Sequence, residues 1–118
     1  MPHPFNIQGI SSSILSELSK LLADDITKHV GFARRQTLAL AKQAAWIAEA
    51  TAQGELDEED RDWFLGNLAR MTENFARAVV ALTILTIEKA WNAVVGVLWG
   101  AIRSAAGAAI PIPKLPSL

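Results

Sequence analysis

From residue 5 to residue 110 the chain contains no proline, and apolar side chains recur through that interval at three- and four-residue spacing. Without proline nothing forbids the i to i−4 hydrogen-bond ladder, and this spacing lines the apolar groups along one helix face. The chain therefore reads as all-α. One stretch inside the interval carries turn chemistry, QGELD at 53–57. There Gly54 suits the left-handed position after a helix, and Asp57 suits the cap of the next.

The expected architecture is a long antiparallel helical hairpin of two helices, 13–53 and 57–109, joined by a turn at 54–56. Ser11, Ser12 and Ser13 offer capping hydroxyls for the first helix. Its inward positions include Leu15, Leu18, Leu22, Ile26, Ala33, Thr37 and Ala44, with Gly31 as a weak point worth about 1 kcal/mol. The second helix carries Phe64, Leu68, Met71, Phe75, Ala78 and Leu82, then shifts its stripe to Ile84, Ile87, Trp91, Val95, Leu98 and Ile102. Unbroken, it would be roughly 75 to 80 Å long. Residues 1–12, with Pro2, Pro4 and Gly9, read as an extended arm. Residues 110–118 read as a strap held extended by Pro111, Pro113 and Pro116.

Because both helices rise equally per residue, facing residues have numbers adding to about 109 or 110. Trp46 is thus expected beside Trp63, and Leu18 near Trp91. The expected hairpin core is Leu18, Leu22, Ile26, Trp46, Trp63, Leu68, Met71, Phe75 and Leu82. The same register leaves everything from Trp99 onward without a partner in the first helix. Contacts with another chain are accordingly expected at Trp91, Val95, Leu98, Trp99 and Ile102 on the helix, and at Ile110, Ile112, Leu115 and Leu118 on the strap. Gly96, Gly100, Ser104 and Ala108 recur every fourth residue, a small-residue face of the kind that lets helices approach closely.

Composition narrows the function. Half of the residues (51%) are apolar and 19% are charged, which excludes a disordered chain and leaves little charge to solubilise the surface. The net charge of −1, with no basic cluster, offers no footprint for nucleic acid. There is no cysteine, hence no disulfide or thiolate site. The start of the chain lacks the basic and apolar regions of a cleaved signal peptide, so a cytoplasmic, particle-associated or membrane-associated protein is expected.

Catalytic signatures are missing as well. His3 and His29 stand without an HExxH or carboxylate cluster, and Asp25 with His29 makes two ligands at most. Glycine-rich phosphate loops and a GxSxG elbow are absent. The five carboxylates Asp57, Glu58, Glu59, Asp60 and Asp62 suit the positive end of a helix dipole better than a calcium loop. No catalytic residue, cofactor, metal or small-molecule substrate is expected.

These features point to a non-enzymatic structural protein that forms a homo-oligomer or joins other protein subunits, as in a phage particle or another large complex. An alternative uses residues 78–112 to enter or lie on a membrane in the manner of a holin or pore. Against it stand the roughly 2.5 kcal/mol cost of a central Arg103 and the polar Asn92. A further alternative is an adaptor whose strap docks on a partner.

Overall fold

Helix ends in this protein are set by short polar side chains. The computed structural model describes residues 6–22, 30–82, 86–106 and 110–114. These hold α1 (Ile7–Leu22), α2 (Val30–Ala52), α3 (Glu58–Leu82) and α4 (Ile87–Ala106). Helix α1 starts six residues before its expected start, because Asn6 caps it: Asn6 Oδ1 accepts from Gly9 N–H at 2.9 Å, and its carbonyl accepts from Ile10 N–H at 2.8 Å. Ser11 is therefore inside the helix. Its buried hydroxyl lies 2.7 Å from that of Thr37, tying α1 to α2. Thr37 commits its own proton to the Arg34 carbonyl at 3.2 Å, which leaves Ser11 as the donor between them.

The turn at 53–57 closes α2 with a Schellman motif. Glu55 N–H donates to the Ala50 carbonyl at 2.9 Å and Gly54 N–H to that of Thr51 at 3.1 Å, with Gly54 at φ +76°. Asp57 then caps α3, its carboxylate accepting from Asp60 N–H at 2.7 Å. Glu58, Glu59 and Asp60 fill the first turn, where the helix dipole favours them.

The two long helices are each divided, and the hairpin is folded across itself. Thr86 caps α4, its hydroxyl accepting from Lys89 N–H at 3.3 Å and its carbonyl from Ala90 N–H at 3.1 Å. No proline is needed for this break: Val79, Val80, Thr83, Ile84, Thr86 and Ile87 are β-branched, which weakens helix, and a threonine hydroxyl rewards a new start. Helix α4 then packs against α1, α2 and α3 together, while α2 also meets α1 and α3. The radius of gyration is 14.0 Å and the longest extent 41 Å, about half of the expected hairpin length. A compact chain of this size has a radius near ~13.5 Å.

Four helices thus stand where a two-helix hairpin was expected, and two groups of described residues lie at the heights that the facing rule pairs. Trp46 touches Phe64 near the turn, and Glu17 and Lys20 line a cleft with Lys89 and Asn92 at the far end. Those pairs have numbers adding to 109 or 110. Ile26 and Ile84 lie outside the described residues.

Folding back gives the end of α4 partners that a straight hairpin denies it. The buried face of α4 is Ala90, Trp91, Val94, Val95, Leu98, Trp99 and Ile102. Trp99, 1% exposed, shares a cleft with Leu65 and Ala69 of α3, as an antiparallel α3–α4 pair requires. Trp99, Ile102 and Ile110 thus belong to the core of this chain rather than to an unmatched overhang, and Trp91, Val95 and Leu98, expected as contacts with another chain, are buried in the same core. No described helix is long and apolar enough to cross a membrane, which corrects the reading of α4 as a spanning segment.

A Trp99→Ala variant is expected to lose about 3 to 5 kcal/mol of stability in urea unfolding, as a cavity in a packed core does. Trp63→Ala, at a 61% exposed site, should lose less than about 1 kcal/mol. Equal small losses would show that the end of α4 is outside the core.

Candidate functional site

Four tryptophans are divided evenly between the interior and the surface. Trp91 and Trp99 are 2% and 1% exposed, whereas Trp46 is 47% and Trp63 61% exposed. The exposed pair sits on adjacent helices near the Gly54 turn, with Phe64 as the hinge of the cluster. The ring of Phe64 lies 4.7 Å from that of Trp46 at 73°, and 4.9 Å from that of Trp63 at 89°. Both are edge-to-face contacts of the favourable kind. Phe64 is half-buried against the core, so it anchors the two outer rings to the body of the protein.

Helix geometry explains why these two rings face water. In α2 the buried positions are Ala33, Thr37, Leu40, Ala41, Ala44, Ala45, Ile47, Ala48 and Ala50, and Trp46 lies among the exposed Arg35, Ala39, Lys42 and Glu49, with Gln53 just past the helix end. In α3, Leu65, Leu68, Thr72, Phe75, Ala76 and Val79 face inward, and Trp63 points away with Glu59, Gly66 and Arg70. Trp46 and Trp63 were expected as hairpin core, and they are surface residues instead. The facing sum that put them in the core compares heights along the helices and carries no information on which side of the helix a residue takes.

Of the other expected core residues, Leu18, Leu68 and Phe75 are buried and Met71 is half-buried. Leu22 and Leu82 end α1 and α3, with side chains outside the described set. On the small-residue face, Gly96, Gly100 and Ser104 are exposed, and Ala108 lies outside the described residues with Leu115 and Leu118. A Cβ built at Gly96 or Gly100 meets no described atom within 4 Å, so at these two positions the face approaches none of the other described helices.

The strap is partly engaged. Ile110 is 1% exposed, while Ile112 is 50% exposed. With Pro111 and Pro113, Ile110 walls a cleft of about 470 Å³ whose other side is Glu58, Arg61, Asp62, Leu65, Gly66 and Ala69 of α3, and Trp99. Among its polar lining residues Arg61 is occupied: its Nε and one terminal guanidinium nitrogen donate to Asp62 Oδ1 at 3.1 and 3.0 Å. Among the described residues no three His, Cys, Asp or Glu side chains come close enough to hold a metal ion. Asp25 and His29 lie outside those residues.

Two measurements check this division of the surface. Acrylamide should quench about half of the tryptophan emission readily, and Trp46→Phe with Trp63→Phe should remove that fraction. Gly96→Ala and Gly100→Ala should each raise stability by about 0.5 to 1 kcal/mol, because an open helical glycine gains from a methyl group. A loss at either position in thermal unfolding would place a neighbour over the small-residue face. Comparison of the chain with protein-family models, with curated proteins and with solved structures returns no match.

Proposed function

We propose that this is a non-enzymatic structural protein that works by assembling with further copies of itself in an oligomeric helical packing. The observation that carries this reading is the Trp46–Phe64–Trp63 cluster, two large rings held half in water by a third that is fixed to the core. Keeping such rings exposed wastes the burial energy that the same chain obtains at Trp91 and Trp99. Aromatic clusters of this kind carry binding energy at protein contacts, where tryptophan is strongly enriched. The sparse surface charge, 19% of residues against 51% apolar, supports the same reading.

The site of contact differs from the one that the residue pattern suggests. Most of the expected contact residues on α4 are occupied within the chain, and Ile110 holds the strap to its own fold. The free surfaces are the aromatic face of α2 and α3 and the small-residue face of α4.

Light scattering from the purified chain in detergent-free buffer, over a range from micromolar to millimolar, tests the proposal. The expected mass is a multiple of 12.7 kDa that rises with concentration. A mass that stays at 12.7 kDa throughout would reject assembly as the function.

A further inference from the structure

The charges around the aromatic cluster are sorted along the helices. On α2, Lys42 precedes Trp46 by one turn and Glu49 follows it by one turn. On α3, Glu59 and Asp60 precede Trp63 by one turn, and Arg70 follows it by two. Since α2 and α3 run antiparallel through the Gly54 turn, Glu49, Glu59 and Asp60 all flank the rings on the turn side, and Lys42 and Arg70 flank them on the other. All five are exposed. None forms an ion pair with another described residue, and the Arg70 guanidinium has only the Asn67 side-chain oxygen, at 2.5 Å.

From this polarity we infer that the face binds a second copy of the chain across a two-fold axis, and that the axis lies in the contact plane perpendicular to α2 and α3. The inference rests on the assembly reading above and adds which surface is used and in which orientation. Rotation about that axis sets α2 against α2 and α3 against α3, each pair antiparallel. Trp46 and Trp63 then meet their equivalents at the centre. Lys42 comes opposite Glu49 of the second copy, and Arg70 reaches toward its Glu59 and Asp60. By symmetry each charge pair is made twice. A two-fold axis parallel to the helices would instead set α2 against α3 of the second copy, opposing Glu49 to its Glu59 and Asp60 and Lys42 to its Arg70, which like-charge repulsion disfavours.

Gly66 fits the same arrangement. It is exposed on α3 one turn beyond Trp63, it has negative φ, and nothing lies within 4 Å of a Cβ built there. A glycine in mid-helix is unfavourable, and this one lines the mouth of the strap cleft on one side and adjoins Trp63 on the other. Beside Trp63 it leaves room for a ring of the second copy to lie close to the helix backbone.

Charge reversal with complementation tests the contact on the full chain by sedimentation velocity, with circular dichroism as the check on folding. Lys42→Glu alone and Glu49→Lys alone should each weaken association at least about tenfold, because each change acts twice across the axis. An equimolar mixture of the two should restore wild-type association, since every pair in the mixed dimer is again of opposite sign. Trp46→Ala with Trp63→Ala should give a folded monomer. If the wild type associates and all these variants associate equally well, the contact lies elsewhere: the assembly reading stands and this inference falls. If the wild type is monomeric throughout, both fall. A monomer whose tryptophan emission shifts to the blue on phosphatidylcholine vesicles would give the face to lipid and overturn the inference.

Discussion

Burial of the stripe from Ala90 to Ile102 of α4 is the interaction on which the rest of the structure depends. Trp91, Leu98, Trp99 and Ile102 have 2% of their surface or less in water, and they are covered by three different helices. Helix α2 also meets three partners, but its buried face is mostly alanine, whereas that of α4 carries large side chains. The opposite face of α4 is correspondingly thin, with Gly96, Gly100 and Ser104 open to solvent. What the sequence shows as one apolar, small-residue-rich segment is a helix whose two sides have different neighbours.

How much of this was legible depended on whether a signal was local. The all-α class followed from spacing and the missing proline. The turn at Gly54 and the cap at Asp57 were legible because their chemistry is contained in five residues. The Asn6 cap was available in the same way, since Asn is a strong N-cap, but the three serines that follow offered a competing start. The division of the second long helix was harder. Thr86 closes a β-branched run, and its capping role is worth choosing only once α4 has α3 to fold back upon, a tertiary gain that periodicity does not display.

The facing rule illustrates the same limit. It set Trp46 beside Trp63, whereas the ring that Trp46 meets is the neighbouring Phe64, which also meets Trp63. It also assumed straight helices, and so it stranded Trp99 and Ile102 beyond the end of a partner. Bending the hairpin converts that surplus into the core. The exposed aromatic cluster was misplaced for a different reason: the spacing places Ala33, Thr37 and Ala44 inward, but the facing rule matches heights only, and Trp46 and Trp63 share a height while lying on the outer sides of their helices.

The position of α4 in the chain order has a consequence for how the protein acquires its structure. Helices α1, α2 and α3 are synthesised first, and they pair chiefly as α1 with α2 and α2 with α3. Much of the apolar surface that these three present, around Leu18, Leu65 and Ala69, is sealed by side chains that leave the ribosome later. Until then the nascent chain carries a groove of the width of a helix, open to any amphipathic segment nearby. The last helix described is thus the wedge that locks the others, and completion of the fold waits on it.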